Sequence, residues 1–395
     1  MNILFVRLSY IGDILHATAA ARWIKERYPA AILHWIVTPS MAELLEHNPY
    51  VDVIIPWERD VYEAHSKKLH LRTMWKMWWE LRNLLKPYHF DVAVDVQGRL
   101  ITGLVLLASG APIRLGLGGT KELNWLFTNY KSNNRRSHVI EQYLAVAQLL
   151  PKALERLPNQ DESSSFRNST AIVSPMDDDE FKGGKALKEQ FLEMHMSETT
   201  MDLVLTEVEM ITAAKEMWKT FGASKKKRIG LVLGSSWATK EWPSHKWQEL
   251  MELLQDEAQF ICFGGPKEAK EHALVMTNIE ASAVEVYNRL GTTTLREMAA
   301  LMKCCDIIVA CDTGALHIGL ALGMPVVTLF GPTDPRLWGP RDGQYLIIQN
   351  KDMDCLGCRK RKCPKGEPYC MTQIDAKTVK TAILEVLEGD RDGKV

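Results

Sequence analysis

Residues 310–335 read ACDTGALHIGLALGMPVVTLFGPTDP, and this stretch decides the fold class of the chain. An apolar segment ends at Asp312, the small residues after it begin a helix that runs to about Leu322, and a second apolar segment covers Val326–Phe330. Strand, helix and strand in so few residues predict a βαβ unit, whose two strands are parallel. The loops at the carboxyl ends of such strands are where open α/β sheets bind their ligands.

The same alternation extends over both halves of the chain. In the first half the predicted strands are Ile3–Leu8, Ile32–Val37, Val51–Pro56 and Phe90–Val96, and the predicted helices are Ile14–Tyr28 and Lys67–Leu85. In the second half the predicted strands are Arg228–Gly234, Gln259–Gly264, Asp306–Cys311 and Val326–Phe330, with helices over residues 208–218 and near Ala376–Leu387. This alternation predicts parallel sheets with helices on both faces.

A polar stretch lies between the two series. Residues 151–184 include NQDESSSFRNST and DDDEFKGGK, which offer few side chains for a core, so we interpret them as an exposed excursion near a domain boundary. A length of 395 residues also suggests two domains. We predict an N-terminal domain over residues 1–200 and a C-terminal domain over residues 201–395, with a ligand-binding cleft between them.

The composition excludes several classes of protein. Lys and Arg number 48 against 49 Asp and Glu, without the basic excess that a general nucleic-acid binder needs. A hydrophobic content of 46% is too high for a disordered chain. The opening MNILFVRLSYIGD is too short and too charged for a signal-peptide core, and a spanning helix needs about 20 uninterrupted apolar residues. We expect a cytoplasmic protein, with peripheral contact at the inner face of the inner membrane left open.

Two loops that follow strands of the second half suit a phosphate-bearing ligand. In GSSWATKEWP, residues 234–243, Ser235 and Ser236 can donate hydrogen bonds and Lys240 supplies a positive charge. A lysine in a loop is usually solvated, but this loop follows a strand that should point into the cleft. The pair Gly264-Gly265 ends a neighbouring strand and lets a nucleotide base or ribose approach the backbone.

The 310–335 stretch supplies further candidates for the same ligand. Thr313 and Gly314 begin a helix whose free backbone N–H groups and dipole favour a phosphate. Asp312 and His317 at that end are predicted to hydrogen-bond a sugar or ribose, although an N-cap role is the structural alternative for Asp312. The turn after the next strand adds a second backbone cradle, made of Gly331, Pro332 and Thr333.

The loop Ser9-Tyr10-Ile11-Gly12-Asp13 links the first strand to the first helix. It lacks the G-x-G-x-x-G fingerprint, which counts against a dinucleotide-binding domain of the NAD type. Asp13 at the helix start has two interpretations. It either stabilises the helix dipole, or acts as a general base that faces the cleft from the side opposite the phosphates.

Two basic patches are candidates for binding an anionic acceptor. The first lies within residues 59–82 and contains Arg59, Lys67, Lys68 and Arg72; the second contains Arg135, Arg136 and His138. Met74 and Trp78 recur at helical spacing in the first patch and are expected to pack in the core. For both patches a solvated surface is the alternative interpretation.

The eight cysteines form two groups. Cys262, Cys304, Cys305 and Cys311 lie in apolar segments, where free cysteine acts as a small hydrophobic residue. The other four are Cys355, Cys358, Cys363 and Cys370, in CLGCRKRKCPKGEPYC. A C-x-x-C start followed by two more cysteines resembles a four-thiolate zinc or iron site, although the other spacings are shorter than in a zinc ribbon. A reduced cluster that stiffens a surface loop is the alternative.

Four motifs together resemble a known family. SYIGD after the first strand, DVQGR at 95–99, TKEWP at 239–243 and the block at 310–335 resemble the ADP-heptose:lipopolysaccharide heptosyltransferases of glycosyltransferase family nine. The resemblance spans most of the chain and is weakest over residues 151–200. It implies a GT-B architecture, in which two Rossmann-like domains face a cleft. The N-terminal domain would hold the acceptor and the C-terminal domain the nucleotide sugar.

The resemblance also implies an activity and a set of site residues. The activity is inverting, metal-independent transfer of heptose from ADP-heptose to the Kdo or heptose inner core of lipopolysaccharide, with no cofactor for catalysis. The family's base falls on Asp13 and its lysine on Lys240, while its aspartate–glutamine–glycine motif falls on Asp95, Gln97 and Gly98. Together with the basic patches, the expected acceptor-binding residues are Ser9, Gly12, Arg59, Lys67, Arg72, Gln97, Arg135 and Arg136.

Other functions remain open at this point. A different glycosyltransferase or a sugar-nucleotide epimerase would share the architecture, but an epimerase would act without an acceptor. A non-catalytic nucleotide-binding scaffold would keep the phosphate loops and have no use for a base at Asp13. The cysteine cluster also raises a metal-stabilised assembly surface. The sequence does not determine which acceptor receives the sugar.

Overall fold

Two parallel six-stranded sheets, one from each half of the chain, form the framework. The structure is a computed structural model that describes residues 1–61, 71–119, 122–133, 137–155 and 199–389. In the first sheet the strand order is β3-β2-β1-β4-β5-β6, and all pairings are parallel. The strands are β1 (Asn2–Val6), β2 (Ile32–Val37), β3 (Val53–Pro56), β4 (Val92–Asp95), β5 (Ile113–Leu117) and β6 (Tyr130–Ser132).

Helices pack on this sheet and bury its strands on both faces. Four of the five residues of β1 are fully buried, as expected for a parallel strand covered on both sides. The long helix α1 buries Ile14, Ala17 and Ala21 in the same core as the strands. The helices of this half are α1 (Ile11–Arg27), α2 (Pro39–Ala42), α3 (Leu71–Leu85), α4 (Leu100–Ser109), α5 (Val139–Ala147) and α6 (Leu150–Glu155).

The second sheet repeats this arrangement with the order β12-β11-β10-β7-β8-β9. Its strands are β7 (Lys227–Val232), β8 (Ala258–Phe263), β9 (Val286–Asn288), β10 (Ile307–Cys311), β11 (Val326–Leu329) and β12 (Tyr345–Ile348). The helices are α7 (Glu207–Phe221), α8 (Ser244–Leu253), α9 (Pro266–Glu271), α10 (Ala273–Glu280), α11 (Leu295–Lys303), α12 (Gly314–Ala321), α13 (Pro335–Trp338), α14 (Tyr369–Thr372) and α15 (Ala376–Gly389).

The predicted α/β class is confirmed, and so is the βαβ unit of the 310–335 stretch, formed by β10, α12 and β11. The strands β5, β6, β9 and β12 were not predicted, because they are short and only partly buried and so form no long apolar run. The predicted helix from Lys67 is seen from Leu71 onward, and residues 62–70 lie outside the described part. The predicted polar excursion was residues 151–184; residues 151–155 belong to α6, whose Leu150 and Ala153 are buried, and the rest lies outside the described part, which excludes residues 156–198. The 200/201 boundary stays a prediction.

The two halves share one hydrophobic core. A single cluster of buried residues contains Ile14 and Ala17 from α1 together with Leu316 and Ile318 from α12. Arg296 on α11 adds a polar link, because its guanidinium donates to the Glu43 carbonyl at 3.0 Å in the first half. The same guanidinium donates to the Val204 carbonyl at 2.9 Å and pairs with the Glu209 carboxylate at 2.5 Å. These contacts fix how the two sheets face each other.

Residues 307–331 are the most membrane-like stretch of the sequence. In the structure they form the strand–helix–strand unit of β10, α12 and β11. Within the described ranges, no helix combines the length and the apolar character that crossing a bilayer requires.

Candidate active site

The starts of helices α1 and α12 meet where the two halves face each other. A Cβ on Gly12 would overlap the ring of His317, and a Cβ on Gly314 would lie 2.9 Å from the Cβ of Ile11. Both positions therefore need glycine for the close approach of the backbones. This contact brings the predicted loop that carries Asp13 next to the predicted loop that carries Asp312.

Asp312 is the centre of a buried polar cluster at the end of β10. Its Oδ2 accepts hydrogen bonds from the Nζ of Lys240 at 2.6 Å and from the hydroxyl of Thr333 at 2.5 Å. The Ser235 hydroxyl donates to the Asp312 backbone carbonyl at 3.2 Å. Three loops that are far apart in the sequence thus converge on one carboxylate, and the cluster supplies a cation and hydroxyl groups at the carboxyl edge of the sheet.

The start of α12 offers backbone donors beside this cluster. Thr313 is the N-cap residue, and its side chain makes no capping hydrogen bond. Asp312 is not the N-cap, because its carboxylate is engaged with Lys240 and Thr333 instead. The first N–H groups of a helix need partners from outside it, and an anion is suited to this position.

The other predicted donor-site glycines are engaged within the fold. The Gly265 N–H donates to Glu268 at 2.9 Å, and the Gly264 carbonyl accepts from the Gly291 N–H at 2.8 Å. At Gly331 a Cβ would lie 2.8 Å from the sulfur of Cys370, so this glycine allows the chain after α13 to pack closely. Ser236 is exposed, whereas Ser235 beside it is buried.

Asp13 on α1 is held by two groups of the first half. One carboxylate oxygen is ion-paired with the guanidinium of Arg7, which follows β1, and the other lies 3.4 Å from the hydroxyl of Tyr143 on α5. The Asp13 side chain is 28% exposed, so it remains accessible to solvent. Burial raises the pKa of Tyr143 far above its ordinary value, and this hydroxyl therefore stays a hydrogen-bond donor.

Ser9, Arg59 and Gln97 surround the same loop. The Arg59 guanidinium donates to the Ser9 hydroxyl and also bonds Asp60. The Gln97 Oε1 accepts from the Leu8 N–H at 2.9 Å, while its buried Nε2 has no partner within the described residues. Asp95, before Gln97, is fully buried and shapes this loop by accepting from the Gly98 N–H at 3.1 Å, among other donors. Burial raises its pKa.

The structure does not bring all predicted acceptor residues to this site. Arg72 is exposed on α3, which is a different element from the loop that carries Asp13. Lys67, Lys68, Arg135 and Arg136 lie outside the described residues. His138, the remaining member of the second patch, is buried, and its Nε2 lies 3.0 Å from the Gly339 carbonyl.

Three histidines form a buried cluster between the halves. The ring of His16 lies edge-on to His317 at 4.3 Å between centroids and to His138 at 5.7 Å. Burial is the main cause that lowers the pKa of His317 and of His138 to about 4 each, and it also lowers the pKa of His16 well below its ordinary value. All three rings are therefore neutral at pH 7.

The predicted metal site at Cys355, Cys358, Cys363 and Cys370 is not supported. Among the residues that the structure describes, no group of three or more His, Cys, Asp or Glu side chains is arranged to hold a metal ion. The Cys363 thiol instead donates to the Glu367 carbonyl at 3.2 Å. Burial, followed by the charges of the other three thiols, raises the pKa of Cys370 to about 11, so it is protonated. All four thiols are free in the described part of the chain: Cys355, Cys358 and Cys363 are partly exposed, and Cys370 is buried in α14.

Sequence reasoning missed several residues of this region. Arg7 carried a signal, because a charged residue directly after a buried apolar strand calls for a buried partner. Tyr143 and His16 carried none, since a tyrosine or histidine on an apolar helix face is usually an ordinary core residue. Trp237, whose ring lies 4.6 Å from the Nζ of Lys240, could have been identified from its place in the GSSWATK loop.

Comparison with known proteins places these features in a family. Residues 78–368 match the model of "Glycosyltransferase family 9 (heptosyltransferase)", which is well over half of the chain. The chain is 23% identical to lipopolysaccharide heptosyltransferase 1 of Pseudomonas aeruginosa, over 98% of each chain. The structure of E. coli ADP-heptose lps heptosyltransferase II superposes with a TM-score of 0.70, at 21% identity over 99% of this chain and 100% of that one.

A second solved structure is also similar in fold. E. coli heptosyltransferase WaaC with ADP-2-deoxy-2-fluoro heptose has a TM-score of 0.62 at 20% identity, over 98% of this chain and 99% of that one. These superpositions confirm the predicted GT-B fold, with two α/β halves about a cleft.

Proposed function

Because the chain belongs to glycosyltransferase family 9, we propose that it transfers heptose from ADP-heptose to the Kdo or heptose inner core of lipopolysaccharide. The names of its relatives support the acceptor, and the ligand of the similar WaaC structure supports the donor. The chain's own geometry supports the same reaction. The observation that carries it is the meeting of the two helix starts, which sets Asp13 on one wall of the cleft opposite Asp312 and Lys240 on the other.

On the donor side, the diphosphate of ADP-heptose is placed at the start of α12. Lys240 supplies a positive charge there, and the uncapped N–H groups of α12 supply hydrogen bonds to the phosphate oxygens. Asp312 orients Lys240 through the 2.6 Å contact and accepts from Thr333. With these protein groups to stabilise the departing ADP, the proposal needs neither a metal nor a cofactor.

On the acceptor side, Asp13 is proposed as the general base. An acceptor hydroxyl attacks the anomeric carbon of the heptose from the face opposite ADP, and its proton passes to the Asp13 carboxylate. The new glycosidic C–O bond forms as the bond to the ADP oxygen breaks, so the anomeric centre is inverted. Arg7 and Tyr143 hold the carboxylate in one orientation. Gln97, whose Nε2 finds no hydrogen-bond partner among the described residues, and Ser9 are proposed to position the acceptor.

A lipid-linked acceptor requires access to a membrane surface, and α3 offers a suitable face. Trp75 and Trp79 are 66% and 39% exposed and touch each other edge-on, while Trp78 turns inward to donate to the Leu104 carbonyl. Arg72 and Lys76 are exposed on the same helix. Tryptophan beside basic residues is typical of helices that lie at an anionic lipid interface. We therefore include peripheral membrane contact, from the cytoplasmic side, in the proposal.

Transfer is tested with purified protein, ADP-heptose and either Kdo–lipid A or a heptosylated acceptor. The proposal expects ADP release that depends on the acceptor, a product heavier by one heptose in mass spectrometry, an inverted anomeric configuration by NMR, and activity that persists in EDTA. Conversion of the sugar nucleotide without any acceptor would instead indicate an epimerase. No product with either acceptor would contradict the proposed substrates.

Membrane contact is tested by sedimentation with vesicles of phosphatidylethanolamine and phosphatidylglycerol. Trp75→Ser and Trp79→Ser together are expected to reduce binding, whereas Trp218→Ser on α7 is the matched control, because Trp218 is 63% exposed in the other half of the molecule. Equal binding by the wild type and the double variant would contradict the assignment of this face.

A further inference from the structure

The loop of residues 355–370, called here the cysteine loop, is fastened to both donor-side loops. Its Gly357 N–H donates to the Gly331 carbonyl at 3.1 Å, and its Arg359 N–H donates to the Pro332 carbonyl at 2.7 Å. The Thr239 hydroxyl, next to Lys240, donates to the Lys360 carbonyl at 2.9 Å. The middle of the cysteine loop therefore lies directly against the groups proposed to bind the donor, and not on a remote surface.

Two arginines of the cysteine loop stack on tryptophan rings. The guanidinium of Arg359 lies 4.7 Å from the ring centre of Trp338, and that of Arg361 lies 5.1 Å from the ring centre of Trp237. The Nζ of Lys240 lies 4.6 Å from the centre of that same Trp237 ring. Trp237 is thus shared by Lys240 and Arg361, and it holds both cations at the carboxyl edge of the second sheet.

The backbone conformation and the charge of this segment are also unusual. Arg359 has φ of 58°, in the left-handed region that non-glycine residues seldom adopt. Residues 359–362 are four successive exposed cations, and within the described part of the chain none of them forms a salt bridge. Neighbouring charges are paired, since Lys365 bonds Asp354 and Arg336 bonds Asp334. A run of unpaired cations beside Lys240 is suited to an anion that carries more than one charge.

We propose that Arg359 and Arg361 bind the diphosphate of the nucleotide-sugar donor, as two further cations beside Lys240. The identity of the donor rests on the proposed function. The diphosphate is favoured over an acceptor phosphate because Arg361 shares Trp237 with Lys240, and both arginines are anchored on the half that carries Asp312. The cysteine loop then has a function without a metal: it holds the two arginines in place.

The test compares the affinities of ADP and adenosine by calorimetry for the full chain and for Arg359→Gln, Arg361→Gln and the double variant. Each single change is expected to weaken ADP binding by about five- to thirtyfold, within the range of a charge-assisted hydrogen bond that is partly exposed to solvent. Adenosine lacks the phosphates, so its affinity is expected to change less than twofold. Arg361→Lys should recover part of the loss, because it restores the charge without the planar guanidinium.

The matched control is Arg27→Gln. Arg27 is also an exposed arginine stacked on a tryptophan, with its guanidinium 4.1 Å from the ring centre of Trp23, but it lies at the far end of α1. This control is expected to leave ADP affinity unchanged. Wild-type ADP affinity in the double variant, an equal loss in the control, or an effect confined to the KM of the acceptor would each overturn the inference. Intact ADP binding by a wild type that transfers no heptose would contradict the proposed function alone.

Discussion

The Nζ of Lys240 lies 2.6 Å from the Oδ2 of Asp312, and both side chains are nearly buried, at 13% and 7% exposure. A buried lysine and carboxylate in such contact depend on each other, because each would otherwise be a desolvated charge without a partner. Lys240 neutralises Asp312 in the free protein, and in the proposed function it also meets the donor phosphates in the complex. Each change at this pair affects stability and binding together, and the two effects have to be measured separately.

Lys240→Gln is expected to lower the unfolding free energy by about 1–3 kcal/mol, because it leaves the buried Asp312 carboxylate with Thr333 as its hydrogen-bond donor. It should also weaken ADP binding at least tenfold in the fraction that stays folded. Denaturant unfolding and calorimetry measure the two effects. Lys246→Gln on α8 is the control, because Lys246 forms an ion pair with Glu249 within its own helix. Unchanged ADP affinity in Lys240→Gln would contradict the donor site.

Arg7→Gln tests whether the ion pair with Asp13 positions the proposed base. It is expected to lower kcat by one to two orders of magnitude while the affinity for ADP-heptose stays within about twofold, since Arg7 contacts Asp13 and not the donor side. Arg22→Gln is the matched control, because Arg22 is also a largely buried, ion-paired arginine of the first half, but its partner is Asp202. A normal kcat in Arg7→Gln would exclude the positioning role.

The histidine cluster predicts how stability depends on pH. The pKa values of His16, His138 and His317 lie below their ordinary value of 6.5, with the last two at about 4, mainly because of burial. Between pH 6.5 and pH 4 the unfolded chain therefore binds protons that the folded chain does not. Stability must fall as the pH is lowered through this window, and we expect Tm to drop by several degrees between pH 7 and pH 5.

A substitution in the histidine cluster tests whether these buried rings cause the pH dependence of stability. His16→Asn should flatten the pH dependence of Tm, whereas His245→Gln should leave it as in the wild type, because His245 is exposed on α8. The same slope in His16→Asn and in the wild type would show that other groups dominate acid unfolding.

Arg296 is expected to hold the two halves in register. Arg296→Met removes its bonds to Glu43 and Val204 and leaves Glu209 with only its hydrogen bonds from Thr206 among the described residues, which should cost about 2–3 kcal/mol of unfolding free energy. Arg296 is also the largest cause that lowers the pKa of Glu209 to about 2, so this stabilisation is present above pH 4.5 and is lost toward pH 2. Arg289→Met, whose partners all lie in the second half, should cost less. If Arg296→Met and Arg289→Met lowered the calorimetric Tm by the same amount, the role of Arg296 in linking the two halves would be contradicted.

Much of the framework was predictable from the sequence, for identifiable physical reasons. Strands such as Ile32–Val37 are buried on both faces, so their apolar runs stand out, and the glycine at position 314 marks a helix start that approaches another backbone. The sequence predicted one phosphate-binding site from residues in separate loops. The structure brings four of them into contact: Asp312, Lys240, Ser235 and Thr333. Their roles in binding and catalysis stay predictions.

The remainder could not be read from the sequence because it depends on long-range packing. Tyr143 is 130 residues from Asp13 and looks like any core tyrosine of an amphipathic helix until α5 is packed on α1. The four cysteines suggested a metal on their spacing alone, and the described residues contain no group arranged to hold one. The place of the arginines between them also depends on long-range packing, because the hydrogen bonds from Arg359 to Pro332 and from Thr239 to Lys360 bring this segment beside the loop that carries Lys240.

The most direct test of the account is a single-turnover measurement on Asp13→Asn with donor and acceptor both saturating. The substitution keeps the size of the side chain but removes its ability to accept the proton, so the transfer rate is predicted to fall by about 10²–10⁴. Binding of ADP-heptose should stay within about twofold of the wild type, because Asp13 lies on the wall opposite the donor groups. A transfer rate close to that of the wild type, or a loss of ADP-heptose binding that accounts for the lower rate, would contradict Asp13 as the general base.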